Sequence, residues 1–361
     1  MSDEFEQRRQ ALASGLAEHK VDALLVTFLP NVRYLTGYTG SNGMLLLAAS
    51  GDATFFTDPR YRIAAAAEVS CPIKVSTGPM LLDVMSLAGR LKIRRLGFEK
   101  ARLGYEQYEL LKRSRSFHSA LVGVRDLVEN RRMIKSPKEI AIIRQSVLLN
   151  SKAFEAALTV VRPGKTRESD LAAEIEYRMR KLGAEKPAFE TIVAGGARSA
   201  LPHAQPSSKI LGKNELLLVD MGATLAGYAS DMTRVVFLGR PGSRIKKIYG
   251  AVLEAQLAAI DVVRPGVTAA HVDRQARLAL KRRGLDKAFV HSTGHGLGLE
   301  IHEPPRLGKK DKTRLQEGMA ITIEPGAYLE GFGGVRIEDT VVVTKNGCEI
   351  LTPTSKEFRE L

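Results

Sequence analysis

The sequence predicts an α/β (α+β) protein of two domains, and three observations carry that expectation. The chain has 361 residues, about twice the ~150 residues of a common domain. Its first 130 residues alternate helical periodicity with short apolar runs. The remainder holds a heptapeptide that returns: Val160-Val161-Arg162-Pro163-Gly164-Lys165-Thr166 reappears, nearly unchanged, as Val262-Val263-Arg264-Pro265-Gly266-Val267-Thr268. The joint is expected between Val124 and Ser136, giving domains 1–130 and 131–361. A content of 44% hydrophobic and 26% charged residues is ordinary for a globular chain and excludes collagen-like or disordered alternatives.

In the first domain, Phe5 to His19 reads as an amphipathic helix with Phe5, Ala11, Leu12 and Leu16 on one face. Val21–Phe28, Gly43–Ala48 and Ala53–Thr57 read as strands. Asp58-Pro59 opens a helix to about Val69, since Asp accepts from free N–H groups and Pro suits a first turn. Arg94–Phe98 is a further strand, followed by a helix from Tyr105 to Arg115. In the second domain, Ser136-Pro137 with Glu139 marks the start of a long helix through Val160.

Each copy of the heptapeptide breaks a helix at Pro-Gly and restarts one, with Thr166 and Thr268 as expected N-caps. The restarted helices end at Gly183 and Gly284. Extended segments follow at Phe189–Ala194 and Phe289–Ser292. Then come two apolar strands that each close on an acid, Leu216-Leu217-Leu218-Val219-Asp220 and Ala320-Ile321-Thr322-Ile323-Glu324. The second part therefore reads as two copies of one helix–helix–strands unit. A repeated turn is architecture and says nothing of function by itself.

The two cysteines, Cys71 and Cys348, are far apart and outside any CxxC spacing, so neither a disulfide framework nor a zinc–thiolate site is expected. The charged N-terminus has no apolar signal-peptide core, and no run approaches the ~20 apolar residues of a membrane span. A cytoplasmic protein that avoids the membrane is the expectation. The net charge of +14 raises nucleic acid as a partner. The basic residues fall in short scattered groups such as Lys281-Arg282-Arg283, without a zinc finger, RNP motif or basic heptad. They read as a solvated surface, and no nucleic-acid partner is expected.

The acids at the strand ends are the anomaly. A lone carboxylate there is commonly a cap or an ion-pair partner, but these two occupy equivalent points of a repeat. Each has a second acid downstream, Asp231 before the strand Thr233–Leu238 and Glu338 before Thr340–Thr344. Four carboxylates converging near a pseudo-twofold axis repel one another, and divalent metal removes that penalty. Four of the seven histidines, His203, His291, His295 and His302, lie near these acids in sequence or in the segment His291-Ser-Thr-Gly-His295-Gly-Leu-Gly-Leu-Glu-Ile-His302, whose glycines allow close backbone approach. One imidazole with several carboxylates suits Mn²⁺, with Co²⁺, Fe²⁺ or Zn²⁺ also accommodated. Carboxylates that bridge can hold two ions about 3.5–4 Å apart, which points to metal-assisted hydrolysis.

The segments LPHAQP, LVDMGATLAGYASDMTRVVFLG, HSTGHGLGLEIHEPP, ITIEPGAY and GVRIEDTVVVT, in this order, resemble the proline-specific peptidases of the pita-bread metallopeptidase family, Xaa-Pro dipeptidase (prolidase) and Xaa-Pro aminopeptidase (aminopeptidase P). The resemblance covers about residues 130–361. Asn31-Val-Arg-Tyr-Leu-Thr-Gly-Tyr-Thr-Gly-Ser and Asp58-Pro-Arg-Tyr extend it, more weakly, to a creatinase/prolidase-like N-terminal domain. It implies a pita-bread catalytic domain with Asp220, Asp231, His295, Glu324 and Glu338 as ligands of two divalent ions. Asp231 and Glu338 would bridge both ions, and Glu324 would also serve as general base. His203 and His302 match histidines at the scissile amide, and His291 matches one lining the proline pocket. Tyr328 matches a position close to substrate, and Arg336 one that orients a carboxylate ligand. The expected substrates are short peptides with proline at the second position, and the expected assembly is a homodimer.

Composition and spacing do not say "proline"; the resemblance alone does. Methionine aminopeptidase typically lacks this N-terminal domain, and creatinase lacks the full ligand set. A non-catalytic peptide-binding pita-bread module is the reading of another class, and five retained ligands speak against it. Arg306, four residues after His302, matches a position where prolidases place an arginine for the dipeptide carboxylate, a bidentate task that suits guanidinium. Dipeptidase is therefore preferred, with aminopeptidase P on longer peptides as the alternative.

Overall fold

A computed structural model describes residues 4–113 and 120–361 and divides the chain into two compact units, Met1–Arg132 and Met133–Leu361. The first unit carries one six-stranded sheet in the order Ile73–Val75, Ala53–Thr57, Met44–Ala48, Ala23–Val26, Arg95–Glu99, Ala120–Val124. Ala23–Val26 is antiparallel to Met44–Ala48 and parallel to Arg95–Glu99. Leu25, Leu46, Phe56 and Leu96 pack from it against Val84 and Met85 of the helix Met80–Arg90.

Several elements differ from the sequence expectation for local reasons. The N-terminal helix stops at Ala13 and resumes as a 3₁₀ turn, Leu16–His19. Ser14 Oγ donates to Ala11 O at 3.0 Å, a local bond that competes with helix continuation, and Gly15 follows. Leu12 and Leu16 are buried as expected, whereas Ala11 is exposed. The strand expected to reach Phe28 ends at Val26 because the N–H groups of Thr27 and Phe28 donate to the Glu99 carboxylate, at 2.8 and 3.0 Å. A helix, Leu29–Thr36, then starts with Pro30 in its first turn. It and Met80–Arg90 were not expected from the pattern, nor were the strands Ile73–Val75 and Ala120–Val124. Asp58 accepts from Arg60 N at 2.9 Å and opens a 3₁₀ turn before the helix Arg62–Glu68. The helix from Tyr105 runs to Arg113; the expected last residues, Ser114 and Arg115, lie outside the described residues.

The second unit displays the repeat. Ser136 opens the helix Pro137–Leu158 with a capping box, its Oγ accepting from Glu139 N while Glu139 accepts from Ser136 N. The two Pro-Gly turns dock alike: Gly164 N donates to Leu211 O at 2.7 Å and Gly266 N to Leu315 O at 2.8 Å. The restarted helices are Glu168–Lys181 and Ala269–Arg282, with Gly183 (φ +102°) and Gly284 (φ +70°) just past their ends, a conformation that favours glycine. Thr268 is the N-cap of its helix, accepting from His271 N at 3.3 Å. Thr166 is not: its hydroxyl accepts from Arg162 N at 2.8 Å, and Arg167 occupies the cap position.

Two sheets follow from the two copies. One orders Arg359–Glu360, Met232–Leu238, Glu215–Met221, Ile192–Gly195, and the other Glu303–Leu307, Gly294–Gly296, Ala320–Ile323, Asp339–Val343, Cys348–Ile350. Phe289–Ser292 is not the extended counterpart of Ile192–Gly195; the strand starts at Gly294. The central strands are apolar on both faces because both faces are covered. Leu216 and Leu218 join a core with the helices Ser243–Asp261 and Ala269–Arg282, while Leu217 and Val219 join one with Pro137–Leu158 and Glu168–Lys181.

Candidate metal centre

All four acids sit where the two antiparallel pairs end. Asp220 is paired with Thr233 across the first pair, and Asp231 lies just before the strand Met232–Leu238. Glu324 directly follows Ala320–Ile323, and Glu338 directly precedes Asp339–Val343, whose first residue is paired with Ile323. Thr340 Oγ1 donates to Asp231 O at 3.0 Å and Glu338 N to Thr233 O at 3.2 Å, which ties the two halves at this point.

His295 is aimed into the acids by a β-bulge between His295 and Gly296. Close approach requires glycine on either side: a Cβ at Gly294 would lie 1.9 Å from Thr322 O, and one at Gly296 2.3 Å from Pro304 O. The Nδ1 of His295 meets Gly296 O at 3.0 Å, which fixes the proton there and leaves the Nε2 lone pair facing Asp231 Oδ2 at 3.5 Å and Glu324 Oε1 at 3.4 Å. Asp231, His295 and Glu338 each offer one ligand atom, all within 4.8 Å of one another.

The electrostatics are those of a cation site. Burial raises the pKa of Asp231 well above the usual range, followed by repulsion from Glu338, Asp220 and Glu324. Glu338 is raised by burial and by the Glu324 and Asp220 charges. Glu324 is pushed up to about 7, chiefly by burial. Burial also lowers His295, so its imidazole is neutral and able to ligate. Asp220 Oδ1 and Glu338 Oε1 are buried and have no hydrogen-bond partner among the described residues. Such orphaned carboxylate oxygens are costly unless a cation meets them. The donor set, four hard oxygen ligands and one imidazole, fits divalent metal.

A layer of threonines and one arginine holds the acids. Arg336 donates from Nη2 to Asp220 Oδ2 at 2.6 Å and from Nε to Thr233 Oγ1 at 2.9 Å, and Thr233 Oγ1 donates to Glu338 Oε2 at 2.8 Å. Thr322 Oγ1 accepts from His295 N at 3.1 Å and donates to Glu324 Oε1 at 3.3 Å. Neither threonine was singled out in the sequence. Strand alternation carried the signal, because residues two apart share a face: Asp231 with Thr233, Thr322 with Glu324, Arg336 with Glu338.

A cavity of about 820 Å³ opens over this centre. His203, His291, His302 and Arg306 line it, together with Asp220, Asp231, His295, Glu324, Arg336 and Glu338. The His302 ring lies edge-on to His295 at 4.4 Å between centroids. Burial holds His291 down to about 4, with the Arg336 charge adding to it. Its Nδ1 donates to Ser292 O, and its Nε2 accepts from Tyr328 Oη at 2.8 Å, which in turn accepts from Arg336 Nη1 at 2.6 Å. Tyr328 is thus absent from the cavity lining and reaches the site through His291 and Arg336. Arg306 is exposed at the rim, with Nε 3.4 Å from Ser292 Oγ and no carboxylate partner for its guanidinium among the described residues.

Comparison with known proteins follows the division of the chain. Residues 141–345 match the metallopeptidase family M24, and residues 8–134 match the creatinase/prolidase N-terminal domain. The chain is 39% identical to the Xaa-Pro dipeptidase of Pyrococcus horikoshii, over 99% of both chains. Among solved structures it is similar to the Xaa-Pro dipeptidase from Bacillus anthracis, with a TM-score of 0.96 and 38% identity over 99% of this chain and 100% of that one. It is also similar to an X-Pro aminopeptidase from Thermotoga maritima, with a TM-score of 0.89 and 35% identity over 95% and 98% of the two chains.

Proposed function

The chain belongs to metallopeptidase family M24, and on that premise we propose that it hydrolyses the Xaa-Pro bond of dipeptides, as a prolidase. One observation carries the reading: Asp231, His295 and Glu338 bring one ligand atom each within 4.8 Å of one another, Asp220 and Glu324 line the same cavity with them, and Asp220 Oδ1 and Glu338 Oε1 have no hydrogen-bond partner among the described residues. Asp220, Asp231, His295, Glu324 and Glu338 would hold two divalent ions, with Mn²⁺ favoured by the oxygen-rich donor set. Such ions, when bound, acidify water and polarise a carbonyl.

The chain's own residues do the rest. Glu324 takes the proton of the attacking water and delivers it to the departing proline nitrogen. His203 and His302, on the cavity wall, hydrogen-bond the scissile amide and its developing oxyanion. His291, fixed by Tyr328, borders the proline ring, and Arg336 orients Asp220. Arg306 meets the free carboxylate of a dipeptide. The aminopeptidase reading uses the same chemistry and differs only in leaving this last contact unused; the Thermotoga structure carries that name.

We further propose a homodimer. The resemblance to this family implies that the N-terminal domain of one subunit helps close the other's site, with segments 37–43 and Arg60-Tyr61 nearest to it. Those segments are tied together here by Ser41–Tyr61 and Asn42–Asp58 hydrogen bonds. A cytoplasmic setting is part of the proposal; no helix among the described residues is long and apolar enough to cross a membrane.

The test compares proline release from a Xaa-Pro dipeptide with Xaa release from a Xaa-Pro-Yaa tripeptide, after EDTA stripping and Mn²⁺ restoration, with Glu324→Ala as blank. Dipeptide preference is expected. Tripeptide preference would make the aminopeptidase reading correct, and silence on both with metal restored would leave a peptide-binding module.

A further inference from the structure

Two side chains of the helix Ala269–Arg282 reach beneath the loop that carries His291. Asp273 and Arg277 are four residues apart and so share a helix face. Arg277 Nε donates to Asp273 Oδ2 at 2.7 Å and Nη2 to Oδ1 at 3.0 Å, and Asp273 is 1% exposed. With the carboxylate buried and the Arg277 side chain 20% exposed, the pair offsets little more than its own desolvation, and its remaining contacts matter more than its strength.

Those contacts all fall on one stretch of backbone. Asp273 Oδ1 accepts from Thr293 N at 3.1 Å and Thr293 Oγ1 at 2.9 Å. Arg277 Nη1 donates to Phe289 O at 3.2 Å, Nη2 donates to His291 O, and the guanidinium lies 4.3 Å over the Phe289 ring. Residues 289, 291 and 293 are thereby gripped by two side chains. Between Phe289 and Ser292 the backbone belongs to no helix or strand, so no ladder of main-chain bonds sets its course. The Phe289 ring in turn stands edge-on to the His291 ring at 5.1 Å.

We propose that Asp273 and Arg277 are positioning residues that set the His291 imidazole at the cavity wall, an inference that rests on the reading of that cavity given above. The planar fork of Arg277 spans the carboxylate and two carbonyls at once, which a lysine ammonium cannot do. The loop then delivers His291 to Tyr328 and, two residues after Thr293, His295 to the acids.

Arg277→Lys keeps a positive charge beside Asp273 and removes the fork. In a variant that still unfolds cooperatively, KM for a Xaa-Pro dipeptide should rise about tenfold while kcat falls less, as displacement of a binding group by a fraction of an ångström does. Thr293→Val removes a single hydroxyl bond to Asp273, should shift KM in the same direction by less, and carries the test if Arg277→Lys does not fold. The second readout needs no substrate: the ¹⁵N imidazole signals of His291 in the metal-free protein, assigned with His291→Gln. They should move in both variants. Unchanged His291 signals, or an unchanged KM in a folded variant, would overturn the proposal. If the wild type cleaves no Xaa-Pro substrate, the functional reading fails by itself, and the imidazole signals alone decide whether the pair positions His291.

Discussion

In the first half of the repeat, Asp220 lies inside its strand between Ile192 and Thr233, with a guanidinium 2.6 Å from its Oδ2. In the second half, Glu324 stands just past its strand and meets a hydroxyl at 3.3 Å and an imidazole at 3.4 Å. The duplicated backbone supplies matched acids, but Arg336 comes from the second half and serves the first. One acid has a guanidinium in hydrogen-bond contact, and the other, without that contact, is raised by burial to about 7 although the Arg336 charge opposes the shift. The repeat therefore accounts for where the carboxylates are, and their unequal neighbours support the different roles proposed for them. The loop supports show the same pattern of likeness with difference. Buried Glu168 accepts from Gly195 N, Ser207 Oγ and Arg198 Nε around the segment of His203, much as Asp273 and Arg277 hold that of His291.

The division predicts unequal losses. Glu324→Gln, nearly isosteric, should lower kcat by ~10³–10⁴-fold at saturating Mn²⁺, the upper range for losing a positioned base. Asp220→Asn should lose activity chiefly through weaker metal binding, so that raising Mn²⁺ restores much of it. A titration of activity against Mn²⁺ separates the two. Equal recovery of both variants would erase the distinction between the halves.

Electrostatics offers a second way to break the comparison, through stability without metal. Glu324 has an ordinary carboxyl pKa of about 4.5 when unfolded and about 7 when folded. Between those values the native state keeps a proton that the unfolded chain has released, so this group destabilises the fold increasingly as pH rises through the window. His291, His295 and His302 have lowered values and act in the opposite direction, so a single pH profile would mix the two. The difference between metal-free wild type and Glu324→Gln isolates the carboxyl. The variant should be more stable above pH 7, by on the order of 3 kcal/mol, with the gap closing toward pH 4.5. Urea unfolding at several pH values after EDTA treatment reads it directly, and a gap independent of pH would contradict the assigned role of burial.

What the sequence disclosed follows the same line between duplicated and unique features. The offset between the two Val-Val-Arg-Pro-Gly segments exposed the repeat, and the strands closing on Asp220 and Glu324 exposed the acids, because both signals are local and occur twice. Arg336 and Tyr328 were reached only through resemblance. Thr233 and Thr322 are marked in the sequence only by strand alternation, which puts them on the faces of Asp231 and Glu324. Asp273 and Arg277 carry no sequence signal beyond their four-residue spacing, and nothing in spacing tells which loop a helix face will meet. In the N-terminal unit the strand was drawn too long at Phe28 because the competing acceptor, Glu99, lies 71 residues away. Long-range partners of this kind are invisible to periodicity.

The cavity wall carries the subtlest contrast. The first half contributes Phe189, Ile192, Pro202, Ala204 and Pro206, apolar contacts suited to side chains and a pyrrolidine ring, interleaved with the polar Glu190, His203 and Gln205. The second half contributes His291, Ser292, His302 and Arg306, and no carboxylate partner for the Arg306 guanidinium lies among the described residues. If that guanidinium receives the dipeptide's carboxylate, Arg306→Ala should raise KM for a Xaa-Pro dipeptide about tenfold, the low end for a hydrogen bond to a charged group. A Xaa-Pro-Yaa tripeptide places an amide nitrogen where the carboxylate would be, so its KM should change little. Steady-state kinetics on the two substrates, in one metal-loaded preparation, gives the ratio. Equal losses would remove Arg306 from carboxylate recognition and leave the polarity of the second-half rim without a role in choosing chain length.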